Sequence, residues 1–170
     1  MAISINVSLR YGTHLPCLIK AMEKTNGDVL ELGLGVFSTP YLHYQCILSK
    51  RKLVSYENFK PWMDFFTKKY GYQDEYHEIF FIEKYADAKI EKPWDVVLID
   101  QTPDISRGET IKRLVDRAKY IVIHDSVPKF EKQYGYDKVY SLFKYRTNWT
   151  KDTNNATVLS NLVNLDNFWE

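Results

Sequence analysis

Three stretches of the chain are apolar almost without a break: Val29–Leu32 with one acid inside it, Val96–Ile99, and Tyr120–Ile123. A strand covered on both faces reads this way, whereas a half-exposed strand alternates. Two further short runs, Leu53–Tyr56 and His77–Ile82, complete a set of five predicted strands. Between them the pattern changes to helical spacing. Thr13 is placed to cap a helix to about Lys24, with Leu15, Leu18, Ile19 and Met22 on one stripe and Asn26-Gly27 ending it. A helix is expected from Pro40 to about Ser49, capped by Thr39, and another from Pro61 to about Tyr70, before Gly71. Tyr85–Ile90 reads as a short connection. Asp104 or Ser106 opens a helix whose Ile111, Leu114, Val115 and Ala118 share a face.

The last quarter of the chain reads differently. Phe143, Tyr145, Thr147 and Trp149 alternate with Lys144, Arg146 and Asn148, so Lys138–Trp149 is expected as a strand. The polar turn Lys151-Asp152-Thr153-Asn154-Asn155 joins it to Thr157–Val163 as an antiparallel hairpin. The expectation is an α/β, Rossmann-like doubly wound sheet of about seven strands. Five are parallel and a C-terminal antiparallel hairpin follows, with helices on both faces.

The chain has 170 residues and a formal charge of +1, which reads as one domain, 1–170, large enough for its own core. Within it, 1–27 is an N-terminal arm and covering helix, 28–126 holds the βα units, and 137–165 the hairpin. A near-neutral charge argues against nucleic acid as the main partner. The basic run Lys50-Arg51-Lys52 reads as a solvated loop. Cys17 and Cys46 have no metal-binding or redox spacing and read as buried free thiols of a reducing compartment. No apolar run is near 18 residues, so no membrane association is expected and a cytoplasmic location is.

The chemistry is concentrated in Asp28-Val-Leu-Glu-Leu-Gly-Leu-Gly-Val-Phe-Ser-Thr-Pro40, a buried strand entering a glycine turn and then a helix. Such a junction holds nucleotide-like ligands in α/β proteins. Gly33 and Gly35 permit the turn and a close approach to the ligand. The spacing Gly33-x-Gly35-x-x-Ser38 lacks the third glycine of a dinucleotide fingerprint. Glu31 would repel a pyrophosphate and attract a cationic amino-acid or sulfonium group. Glu57 closes the next strand, where a carboxylate accepts from ribose hydroxyls.

Glu31-Leu32-Gly33-Leu34-Gly35, Glu57 and Asp95-Val-Val-Leu-Ile-Asp100 resemble the first, second and fourth motifs of the class I S-adenosylmethionine-dependent methyltransferase superfamily. The resemblance runs from about Leu15 to Phe168. The closing run, Tyr134-Gly135-Tyr136 through Val158-Leu159-Ser160-Asn161, is similar to that of small bacterial and viral members. The resemblance implies that Leu32, Gly33, Gly35, Ser38 and Thr39 wrap the methionyl part of S-adenosyl-L-methionine beside Glu31. It places Glu57 on the ribose, Asn58 beside the adenine, and Glu83, Lys84 and Tyr85 at the adenine edge, with Asp100 also at the cofactor.

Each strand ends in an acid or in His124-Asp125-Ser126, on the side where open α/β sheets bind ligands. Moving a methyl group to a hydroxyl or ammonium needs alignment and a base, so His124 and His14 are the candidate bases, with Asp125 and Asp100 beside them. Catechol-type members hold Mg2+ with an Asp after strand four and an Asp-Asn pair after strand five. Here Asp100 and Asp125 match, but Ser126 replaces the Asn, and no metal ligand is assigned. Arg107 either neutralises an acidic substrate or pairs with Glu109 or Asp104 on the surface.

The resulting expectation is methyl transfer to an oxygen or nitrogen of a small-molecule acceptor by a monomer or homodimer. A non-catalytic or partner-dependent donor-binding module is the alternative. An NAD-linked oxidoreductase is a third reading, opposed by Glu31, the missing glycine and the terminal hairpin.

Overall fold

The computed structural model describes residues 7–71 and 75–170; residues 1–6 of the expected arm lie outside the described residues. Seven strands form one sheet: β1 (Val29–Leu32), β2 (Leu53–Glu57), β3 (His77–Phe81), β4 (Trp94–Ile99), β5 (Ala118–Ile123), β6 (Tyr145–Trp149) and β7 (Ala156–Ser160). Their order is β3-β2-β1-β4-β5-β7-β6. β1 to β5 pair in parallel, and β7 lies antiparallel to both β5 and β6. The strand order reverses between β1 and β4, which opens a crevice at their carboxyl ends.

The helices are α1 (Leu15–Glu23), α2 (Ser38–Ser49), α3 (Lys60–Tyr70), α4 (Arg107–Arg113) and α5 (Pro128–Tyr134). The apolar runs work as the pattern requires, with successive residues serving opposite faces. Leu30, Leu32, Val97, Ile99, Ile121 and Ile123 pack with Ile111, Leu114 and Tyr136. Val29, Val96, Leu98 and Val122 pack on the other face with Leu18, Met22, Leu42 and Cys46. Each fully buried Leu or Ile contributes about 1.5–3 kcal/mol. Cys17 and Cys46 are both buried free thiols, as expected. Among the described residues no helix is long and apolar enough to cross a membrane.

Several local expectations are corrected. α1 is capped at His14 rather than Thr13, whose hydroxyl instead meets His124 Nε2 at 3.0 Å. α2 begins at Ser38, and Thr39 lies inside it rather than capping it. The helix expected to reach Ala118 ends at Arg113. Ala118 is taken by β5, where it pairs with Trp94, so the register of the sheet overrides helical spacing. The hairpin's first arm is a strand only from Tyr145, with a 3-10 turn at Tyr140–Leu142 before it. Arg51 is not solvated: it is buried and donates to the carbonyls of Gly27, Met22 and Thr25, tying the end of α1 to the start of β2. α5 was not expected, although Pro128 at its start and Gly135 just after it are a readable pair of signals.

Candidate functional site at the carboxyl ends of β1, β2 and β4

A cleft of about 450 Å³ lies at the crevice, lined by Gly33, Leu34, Glu57, Asn58, Phe59, Trp62, Asp100, Thr102 and Pro103. That volume is in the range of small-molecule and cofactor sites. Gly33, Glu57, Asn58 and Asp100 were expected there. Thr102 and Pro103 fall in the segment after strand four, where the sequence places the entry of an acceptor. Phe59 and Trp62, at the cap and in the first turn of α3, were not expected, because helical spacing does not say which neighbouring loop that turn will face. The side chains of Phe59 and Trp62 give the cleft its aromatic wall.

The glycine turn is built by backbone crowding. Gly33 has φ +93°, and a Cβ on it would lie 2.6 Å from the Asp100 carbonyl oxygen. On Gly35 it would lie 2.7 Å from Ser38 Oγ. Gly33 thus permits the turn, as expected, and the missing side chains make room for the β4 end and for α2.

Glu57 is buried, and its carboxylate accepts from the backbone N–H groups of Leu34, Asn58 and Phe59 at 3.0, 2.9 and 2.8 Å. A carboxylate has roughly four lone-pair sites. Three are used in holding the two loops that flank the cleft, so about one remains for a ligand, not the pair first envisaged. Burial raises its pKa against the pull of those three donors.

Glu31 does not line the cleft. It is fully buried behind the turn, accepting from Thr39 Oγ1 at 2.9 Å and Ser55 Oγ at 2.8 Å. Thr39 Oγ1 in turn accepts from the Gly35 N–H at 2.9 Å, so Glu31 anchors the turn from beneath. Leu32, Ser38 and Thr39 are likewise buried off the cleft wall. Glu83 and Lys84 are exposed. Tyr85 is buried in the core with its hydroxyl donating to the Tyr56 carbonyl, so none of these three lines the cleft.

Burial pushes the Glu31 carboxyl up to about 7, against hydrogen bonds from Ser55 and Thr39 that pull it down. A carboxyl raised on folding stabilises the fold while protonated and loses that contribution as pH rises through its folded value. Apo-protein stability should therefore decline between about pH 4.5 and 7.5 by an amount on the order of 3 kcal/mol from this group. Glu31→Gln should flatten that decline in urea-unfolding midpoints measured across the range. A wild-type slope retained in the variant would assign the effect elsewhere.

Beside the cleft, Asp100 Oδ1 meets His124 Nδ1 at 3.0 Å and accepts from Arg107 NH2 at 3.0 Å. Burial would raise the Asp100 carboxyl, but His124 and Arg107 outweigh it and hold it well below the usual range. Burial would lower His124, yet Asp100 and Asp125 raise it. The closer partner of His124 is thus Asp100 on the neighbouring strand; Asp125 Oδ1 stands 3.5 Å from Nε2. Asp125 has φ +55° and accepts from Asn154 Nδ2 at 2.6 Å. His14 packs edge-on against His124, with ring centroids 4.7 Å apart. Burial, followed by the charge of His124, pulls its pKa down to about 3, so His14 is neutral. Neither of its ring nitrogens has a hydrogen-bond partner.

Arg107 corrects both sequence readings. It is 4% exposed and donates to the carbonyls of Gln101 and His124, to Tyr136 Oη and to Asp100, with Asp125 Oδ2 at 3.7 Å. Its guanidinium therefore lies against both carboxylates that the catechol-type pattern would turn toward Mg2+, and Ser126 Oγ accepts from Thr157 on β7. The residues present do not fit that metal site. His14, Asp100 and His124 do bring one ligand atom each within 4.8 Å of one another. There too the carboxylate oxygen is shared with Arg107, and both His124 nitrogens have protein partners.

The sequence matches no protein-family model and no curated protein. Solved structures do match. Rv0187 from MTB, determined with cofactor bound, superposes with a TM-score of 0.66 at 17% identity, covering 94% of this chain and 83% of its own. An O-methyltransferase from Bacillus cereus in complex with SAH gives 0.64 at 14% identity, over 94% of this chain and 83% of that one. The fold is that of the class I methyltransferases. Human methyltransferase-like protein 13 in complex with SAH agrees, with a TM-score of 0.62 at 14% identity, over 89% of this chain and 82% of its own. The cleft of this methyltransferase fold lies at the strand-order reversal between β1 and β4, with the terminal β6–β7 ribbon on the far edge of the sheet.

Proposed function

We propose that the protein binds S-adenosyl-L-methionine in this cleft and transfers its methyl group to an oxygen or nitrogen of a small-molecule acceptor. The observation that carries the reading is the cleft itself, bounded by the Gly33 turn, Glu57 and Asp100 at the strand-order reversal. Gly33 and Leu34 would flank the amino-acid part of the donor, Glu57 the ribose, and Asn58, Phe59 and Trp62 the base. When bound, the donor supplies an activated methyl group on a sulfonium. The chain's own task is orientation, worth several kcal/mol, and removal of one proton from the acceptor. Asp100 fixes the His124 ring through Nδ1, leaving Nε2 as the proton-accepting atom. Arg107 holds Asp100 in place and keeps it ionised.

The small-molecule class rests on the modest cleft volume and the near-neutral charge of the chain. Calorimetry with S-adenosylmethionine and S-adenosylhomocysteine tests the donor. Turnover against panels of hydroxyl and amine compounds, with RNA and DNA oligonucleotides alongside, tests the acceptor. Failure of both ligands to bind would end the reading, and turnover only on oligonucleotides would replace the acceptor class. Glu57→Ala should weaken donor binding by roughly 1.5–3 kcal/mol, since it frees three backbone N–H groups and removes a charged acceptor. Unchanged affinity would remove Glu57 from the site.

A second reading, donor binding without turnover, is favoured by one observation. His124 is 2% exposed, and its Nε2 is covered by Thr13 Oγ1 at 3.0 Å and the Arg10 carbonyl at 3.3 Å. An acceptor reaches that atom only if the segment before α1 shifts. Thr13→Gly, which removes one of the two groups covering Nε2 and loosens the segment before α1, distinguishes the two: a catalyst keeps or gains turnover, whereas a binding module shows none with either chain.

A further inference from the structure

The hydrogen-bond and ion-pair partners of Arg107 share one property: all of them are oxygen atoms. Its Nε donates to the Gln101 carbonyl at 2.8 Å, and Nη1 to the His124 carbonyl at 3.3 Å and to Tyr136 Oη at 3.2 Å. Nη2 donates to Asp100 Oδ1 at 3.0 Å, and Asp125 Oδ2 stands 3.7 Å from Nη1. Two carboxylates, two backbone carbonyls and a phenol thus surround one positive group that is 4% exposed. Hard-cation sites mix charged and neutral oxygens in the same way, and Ca2+ takes about six to eight such ligands at ~2.3–2.6 Å in flexible geometry. Tyr136 Oη in turn donates to the His124 carbonyl at 2.9 Å, so these oxygens are tied to one another as well as to Arg107.

A group that only stabilised the fold would not need this composition. One carboxylate balances a guanidinium, and a second beside it adds repulsion and loses hydration. Asp125 reaches the group from a left-handed backbone position at φ +55°, which is costly for a residue with a side chain. Its other oxygen accepts from Asn154 Nδ2 at 2.6 Å, which fixes the carboxylate beside His124. The oxygens come from the ends of β4 and β5 and from just after α5, while Arg107 opens α4. One cation therefore ties together the two strand ends that carry Asp100 and His124. In the catechol-type pattern a divalent ion faces the same two acids. A guanidinium differs from such an ion in having no open ligand position, so it orders the acids without gripping an acceptor.

We propose that Arg107 is a built-in cation in an oxygen cage fit for a hard metal ion: it holds Asp100 and Asp125 together beside His124 without an added ion, and a divalent cation enters the cage once the guanidinium is removed. Arg107 is a positioning residue. It does not line the cleft, and it acts through Asp100 and the backbone at His124. Its importance for turnover rests on the methyl-transfer reading above, whereas the cage itself does not. In the wild-type chain the positive group is covalently attached, so a chelator has nothing to withdraw. Arg107→Ala leaves the same five oxygens, two of them charged, around a space that water and one ion can fill.

The test uses the full chain with Mn2+ and Ca2+ as probes. Mn2+ titration of Arg107→Ala, followed by electron paramagnetic resonance, should show one bound ion per chain in the ~10⁻⁴–10⁻³ M range of weak oxygen sites, and none in that range for the wild type. With about 10 mM Ca2+ the folded-to-unfolded ratio of the variant, read from urea midpoints, should rise about tenfold while the wild type stays where it is. Adding Asp125→Asn should weaken Mn2+ binding roughly tenfold, because it removes one charged ligand. If Arg107→Ala is unfolded without ions, either ion should refold it and EDTA should reverse the gain. Arg107→Lys keeps a cation in the cage and should bind neither ion. Methyl transfer by the wild type and by Arg107→Lys should be the same with and without EDTA, and that of Arg107→Ala should depend on the added ion. The cage is overturned by an Arg107→Ala chain that binds no Mn2+ or stays unfolded with both ions. Equal binding by the wild type or Arg107→Lys, Mn2+ binding unchanged by Asp125→Asn, or wild-type turnover lost to EDTA would overturn it too. If Mn2+ enters Arg107→Ala while no chain binds S-adenosylmethionine, the cage stands and the methyl-transfer reading falls.

Discussion

Arg107→Met should destabilise the protein by about 3–5 kcal/mol, the range for removing one member of a buried ion pair. The guanidinium makes four hydrogen-bonded contacts, to Gln101, His124, Tyr136 and Asp100, and stands 3.7 Å from Asp125. Methionine keeps the bulk of the stem but leaves Asp100 and Asp125 facing each other with only His124 between them. The loss is read from urea-unfolding midpoints, with the denaturant slope checked for a change in the unfolded state. The logic is tested by the double variant Asp100→Asn with Arg107→Met. Removing both charges should restore part of the loss, because the cost lies in the unpaired carboxylate rather than in the missing attraction. A single-variant loss below about 1 kcal/mol would mean that water reaches this cluster and that Arg107 does not hold Asp100.

Gly33→Ala is expected to be the other severe change, costing about 3 kcal/mol of stability and at least a hundredfold in donor affinity. Two effects combine. The residue sits at φ +93°, and its Cβ would meet the Asp100 carbonyl at 2.6 Å and the Gln101 Cα at 2.9 Å. These obstacles are backbone, so no side-chain rotation relieves them. Gly71→Ala is the internal control: it has φ +82° and nothing within 4 Å of the added carbon. It should show the conformational cost alone, on the order of 1 kcal/mol. If the two variants lose equal stability, the clash with the β4 end contributes nothing and the turn is softer than its geometry implies.

The fold was largely legible along the chain because its strands are buried on both faces. Val96–Ile99 and Tyr120–Ile123 could not sit in any half-exposed sheet, and the alternation through Tyr145, Thr147 and Trp149 marked the one ribbon that could. Boundaries were missed where pairing partners decide them, as at Ala118. The glycine turn, Glu57 and Asp100 were visible at the cleft because a strand's last residues and the turn after it are fixed by local pattern, and Asn58 followed from the family resemblance. Phe59 and Trp62 were not visible, since nothing local says that the start of α3 will face the Gly33 turn.

What the sequence determined by itself is the order of elements and which strand ends carry acids. Those follow from periodicity, glycine and proline placement, and residue type. Only the tertiary structure decided what each acid does. Glu31, Glu57 and Asp100 read alike in sequence, yet one is buried beneath the turn, one spends most of its lone pairs on neighbouring backbone, and one is held ionised between Arg107 and His124. The role of a carboxylate depends on which donors and charges surround it and on how much water it keeps. Those neighbours come from segments far apart in the chain, so no local pattern encodes them.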